Sequence, residues 1–166
     1  VFQFKKFPDI VAFVNLFPLA VALHRRPILV ILGGTNFGKS MLAADVLKRI
    51  AKILGLETYI EITVEADGNL DLSAFNIDRH AGVLLDGIGD AAFLHNHRES
   101  LQGRAKENTG GKSSTMMYAY PFTLCRRAVV ATTDLSASNL SYFENHHWLS
   151  DRRNVIPLRL EAAAWQ

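Results

Sequence analysis

At 166 residues and 18.5 kDa, with 49% apolar and 20% charged residues, the chain has the length and balance to bury one globular core. That balance excludes a disordered polymer, and a formal net charge of only +2 excludes a uniformly basic nucleic-acid coat. A single cysteine, Cys125, excludes an internal disulfide framework and fits a reducing, intracellular compartment, with the thiol read as a small core group beside a strand.

The sequence starts at Val1 and reads as a fragment of a longer protein, with an N-terminal helical segment over 1–26 and one globular domain over 27–160. IVAFVNLFPLAVAL, Ile10 to Leu23, falls short of the about 20 residues a membrane span needs. Asn15 and Pro18 also interrupt it, so it reads as one or two packed helices and not as a membrane span. Asp9 is the expected cap of the first, with Ile10, Phe13, Val14 and Phe17 on one face, and Pro18 starts a second short turn. Pro27 then opens ILVIL, a continuous apolar run of the kind buried in the middle of a parallel sheet. Gly33 to Ser40 turn the chain, MLAADVLKRIAKIL repeats its apolar residues at helical spacing, and Gly55 stops that helix.

ETYIEITVE alternates as a strand and ADGNLDLS is a loop. Ala81 to Leu85 is a short apolar strand ending at Asp86, and DAAFLHNHRESLQGR reads as one helix capped by Asp90. KENTGGKSST is a flexible or hairpin-forming loop, with turn chemistry at Thr109-Gly110-Gly111. AVVATTD is a third apolar strand, followed by a helix begun at Ser136 or Ser138. NVIPLRL is an edge strand, where Pro157 is tolerated. Strands alternating with helices predict an α/β fold with a mostly parallel central sheet and a short helical N-terminal extension, and the glycine loop GGTNFGKS between a strand and a helix makes it a three-layer P-loop NTPase sandwich.

GGTNFGKS satisfies G-x-x-x-x-G-K-[ST] between a strand and a helix. Glycines let successive backbone N–H groups face phosphate oxygens, and the helix N-terminus adds its positive end. The nucleotide-binding set is therefore Gly33, Gly34, Thr35, Asn36, Phe37, Gly38, Lys39, Ser40 and Met41, with Lys39 on the terminal phosphates. Ser40 and Asp86 are the expected Mg²⁺ ligands for ATP or another NTP. Many such ATPases place a second carboxylate directly after this Asp as general base. Gly87 stands there, and Asp90 nearby reads either as a helix cap or as catalytic support.

With these motifs in order, the chain from Ile28 to Leu158 resembles the superfamily 3 helicases of small DNA and RNA viruses. It is most similar to the helicase domain of circovirus-like replication initiators, which are AAA+ relatives. The resemblance implies a Mg²⁺-dependent ATPase motor, assembled as a homo-oligomeric ring on single-stranded DNA or RNA. It implies a basic nucleic-acid loop at LQGRAKENTGGKSSTMMYAYP, with Arg104, Lys106 and Lys112 as its cations. It implies a γ-phosphate sensor among Thr132, Thr133 and Asp134, and an arginine finger at Arg152 or Arg153. Two positions depart from the family pattern: Gly87 replaces an acid, and no Asn closes the sensor strand.

Bland readings stand beside these. Loop 98–112 reads equally as a solvated surface with Glu99 and Glu107 offsetting its charge, Tyr118, Tyr120 and Phe122 as core, and the two arginines as ion-paired with Asp151 or Glu144. His95, His97 and His146-His147 lack an acid or cysteine at ligand spacing and read as exposed or hydrogen-bonded. Two other functions use the same phosphate loop: a small-molecule or nucleotide kinase with loop 98–112 as a lid, and a nucleotide-binding switch that barely hydrolyses.

Overall fold

The computed structural model describes residues 3–18, 26–64, 68–102, 108–110, 120–122, 124 and 126–165. Five strands form one all-parallel sheet: β1 (Ile28–Leu32), β2 (Thr58–Ile62), β3 (His80–Ile88), β6 (Ala128–Thr133) and β7 (Val155–Arg159), in the order β2-β3-β6-β1-β7. A short antiparallel pair, β4 (Asn108–Gly110) with β5 (Tyr120–Phe122), stands apart from it in the strand pairing. The expected α/β sandwich is therefore observed.

The central strands are apolar throughout because both faces are covered. Along β1, Leu29 and Ile31 enter one core with Leu42, Val46, Leu47 and Ile50 of α2 (Lys39–Leu54). Ile28, Val30 and Leu32 enter the opposite core, with Leu94 of α3 (Ala92–Asn96), Leu101 of α4 (Arg98–Leu101) and Phe143 of α5 (Ala137–Asn145). Gly55 caps α2 in the left-handed conformation, φ 68°, as its sequence position predicts. Pro157 lies on the edge strand β7, level with Val30. Between β3 and β6, Gly82 sits against Ala128, so close that a Cβ there would meet the Ala128 carbonyl group.

Helix α1 (Pro8–Val14) buries Ile10, Phe13 and Val14 against the α2 side, as the apolar spacing predicts. Its cap is Phe7, not Asp9: Pro8 supplies a helical φ at the first position, leaving Asp9 in the first turn to pair with Arg152. The single helix expected from Asp90 is instead two, α3 and α4, joined at His97. There the His97 ring packs on Phe93 and bonds to Gly68 O at 2.8 Å, which draws the chain away from a continuous spiral. β3 runs past Leu85 through Asp86 to Ile88, and β2 is shorter than its alternating run. Thr109 and Gly110 belong to β4, so they are strand and not turn. Ser136, of the two candidates, caps α5 by accepting from Asn139 N. Cys125, Tyr118 and the segment after Pro18 lie outside the described residues, and the side chains of Tyr120 and Phe122 are not described. No helix among the described residues is long and apolar enough to cross a membrane.

Candidate functional site

The C-terminal ends of β1, β3 and β6 converge on the start of α2. Between β1 and α2 the chain reverses over Gly33 to Gly38, with Asn36 at φ 66° and Gly38 at φ 81°. Asn tolerates the left-handed region better than most residues, and at Gly38 a Cβ would also stand 2.8 Å from Trp165 Cε3. The Phe37 ring folds back over Gly33 and Gly34. Thr35 and Asn36 are exposed at the loop's tip, and Met41 is exposed in the first turn of α2.

Lys39 is turned inward: its Nζ donates to Gly33 O at 2.6 Å and pairs with Asp134 Oδ1 at 3.2 Å. Only 14% of the Lys39 side chain is exposed, against 86% of Asp134. Asp86 Oδ1 accepts from two hydroxyls, Ser40 Oγ at 2.7 Å and Thr132 Oγ1 at 2.6 Å. Thr132 Oγ1 in turn accepts from Gly87 N at 2.8 Å, fixing the backbone where the β3–β6 register shifts. Gly87 has φ 71° and open space where a side chain would be.

Strand alternation sends Thr133 the other way. It is buried, donates to Ile88 O at 2.6 Å and accepts from Asn139 Nδ2 at 3.1 Å, so its hydroxyl is spent inside the chain, away from Asp86 and Lys39. Asp90 Oδ1 accepts from Ala92 N at 2.9 Å, a local turn that starts the α3 region. Arg152 pairs with Asp9 at 2.7 Å and Arg153 with Asp151 at 2.7 Å, so the surface ion pair read for Arg153 with Asp151 is present. Both arginines precede β7, at the opposite end of the parallel sheet from the phosphate loop, roughly 15 Å away along five strand residues. Neither reaches its own loop. Arg104, Lys106 and Lys112 lie outside the described residues.

A second cluster was not foreseen. His95, on α3, meets His146 and His147 just after α5, with one ring nitrogen from each within 4.8 Å of the others. His146 Nδ1 accepts from Trp148 N (3.1 Å) and Leu149 N (3.2 Å). Its neutral ring therefore carries hydrogen on Nε2, and His146 cannot ligate a metal through that atom while those bonds hold. Desolvation first, then neighbouring cations, hold the His95 and His146 pKa values below the ordinary histidine value. The His146 and His147 rings stack, and His95 meets both edge-on.

The donor set at Ser40 and Asp86, one hydroxyl and one carboxylate, consists of hard oxygens and suits Mg²⁺, which keeps part of its water shell. Strand, glycine loop, helix and acid stand here in the arrangement of a P-loop fold. No protein-family model and no curated protein matches the chain. Among solved structures it is similar to a possible uridine kinase from Bacillus stearothermophilus, at 13% identity and a TM-score of 0.31, over 90% of this chain and 99% of that one. A likeness at that level says nothing about substrate or reaction.

Proposed function

We propose that this chain binds a nucleoside triphosphate with Mg²⁺ and hydrolyses it, as a motor domain acting on single-stranded DNA or RNA. The carrying observation is that β6 lies between β1 and β3, so Thr132 and Asp134 stand between the phosphate loop and Asp86. Backbone N–H groups from Gly34 to Ser40 and the start of α2 receive the phosphates. Lys39 exchanges Gly33 O and Asp134 for phosphate oxygens. Ser40 and Asp86 hold Mg²⁺, which when bound neutralises charge developing on the phosphates.

Once Lys39 turns to the phosphates, the Asp134 carboxylate is left facing the terminal phosphate. It replaces the acid missing at Gly87: as a water oxygen bonds to the γ-phosphorus and the bridging P–O bond breaks, the water's proton passes to Asp134. The nucleic-acid role rests on the family resemblance and on the β4–β5 pair, which precedes β6 in the place of the family's basic loop, Lys112 falling between the two strands in sequence. Arg152 or Arg153, remote from its own loop, serves a neighbouring subunit.

The test is Mg²⁺-dependent ATP turnover with and without single-stranded polynucleotide, for the wild type, Lys39→Ala and Asp134→Asn. Polynucleotide-stimulated turnover that falls roughly 10²–10³-fold in each variant is expected. Tight ATP binding without turnover under any condition would instead make the domain a nucleotide-gated switch, the reading Gly87 favours. Turnover that requires a small acceptor and ignores polynucleotide would make it a kinase.

A further inference from the structure

The phosphate loop is flanked on its β7 side by a segment that its own motif does not require. After β7, Leu160 N donates to Leu32 O at 2.7 Å and Ala164 N donates to Phe37 O at 2.9 Å. Lys5 N donates to Ala164 O at 2.8 Å, and Phe4 bridges Trp165 in antiparallel fashion. The Trp165 ring therefore lies against Gly38, at the entrance to α2, and it is only partly buried.

Sheet order gives a bound nucleotide a direction. Asp86, Thr132 and Asp134 all stand on the β6 and β3 side of β1, and Lys39 Nζ points toward Asp134. The terminal phosphates and the metal belong on that side. The nucleoside end must then leave the loop on the other flank, where β7 is followed by Glu161 to Trp165.

Resting on the nucleotide reading above, we infer that Trp165 is the stacking platform for the nucleotide base. A purine presents a flat, weakly hydrated face, and an indole packed against Gly38, on a backbone tied down by the Phe4 bridge and the Ala164–Phe37 bond, matches it with less ordering left to do. Stacking is tolerant of base identity because every base has a π-face. The site therefore accepts ATP and GTP with similar affinity, and recognition of the phosphates and of the base are separable.

That separation gives the test. Calorimetric binding of Mg²⁺-ATP, Mg²⁺-GTP and Mg²⁺-tripolyphosphate is measured on the full chain and on Trp165→Phe, Trp165→Leu and Lys39→Ala, with thermal melts confirming folding. Leu fills the space against Gly38 without a π-face. The expected result is about a tenfold or greater loss of ATP and GTP affinity in Trp165→Leu, with tripolyphosphate binding unchanged and Trp165→Phe close to wild type. Equal weakening of ATP and tripolyphosphate in Trp165→Leu would reduce Trp165 to a prop for the loop and overturn the inference, as would no change in either. Wild-type chain that binds no tripolyphosphate, or binding indifferent to Lys39→Ala, would overturn the phosphate-loop reading itself and the inference with it.

Discussion

Asp86 is held by two hydroxyls on one oxygen, and the two differ in what they can give up. Ser40 Oγ is exposed at the start of α2 and free to turn toward a metal, whereas Thr132 Oγ1 is buried between Asp86 and Gly87 N. Thr132→Val keeps the shape but removes both bonds, letting the carboxylate swing and leaving Gly87 N without its acceptor. Turnover should fall roughly 10–100-fold while stability drops by about 1–2 kcal/mol. Steady-state kinetics beside a denaturant melt checks this, and an unchanged kcat would show that Asp86 needs no such hold. Thr133, one residue on, reads identically in sequence, yet alternation commits it to Ile88 O and Asn139. Only the register of β6 against β3 tells the two apart, and register is a long-range fact.

Each element is formed by local signals and placed by distant ones. The apolar run of β1, the Gly55 stop of α2, a serine cap on α5 at Ser136 or Ser138 and the edge position of Pro157 were legible because periodicity, caps and proline act within a few residues. The insertion of β6 between β1 and β3 was not legible, since parallel strands are joined by crossovers that leave no pairing signature in either strand. Nor was the break at His97, which depends on Phe93 and Gly68, or the meeting of His95 with His146 and His147. Of the candidate site, the phosphate loop and Asp86 were legible as a motif, while the tie between Asp134 and Lys39 and the place of Trp165 were not. Where β3 and β6 touch, Gly82 makes the spacing testable. Gly82→Ala drives a methyl into the backbone of Ala128, which cannot rotate aside, so a loss of about 3 kcal/mol or more is expected. Gly89→Ala, facing open space, should stay within about 0.5 kcal/mol. Equal midpoints for the two in urea would contradict the close β3–β6 approach.

Seen whole, the molecule puts its phosphate loop at one end of the sheet and Arg152 and Arg153 at the other. In the ring we propose, the two would meet only across a subunit boundary, and mixing variants tests this. Lys39→Ala and the double variant Arg152→Ala/Arg153→Ala should each be inactive alone. An equimolar mixture should recover about a quarter of wild-type turnover, because that share of boundaries joins an intact loop to an intact arginine pair. A mixture as inactive as its parts would remove the arginines from the reaction. The sheet order has one more consequence, in time instead of space. Among the described residues β1 pairs with β6 and β7 alone, so the strand that carries the phosphate loop is followed by roughly a hundred residues before the first of these partners exists. At a synthesis rate of about 5–20 residues per second, ILVIL emerges and waits for seconds as an unpaired apolar segment on the ribosome. The loop is among the first parts of the site to be made and among the last to be held in place.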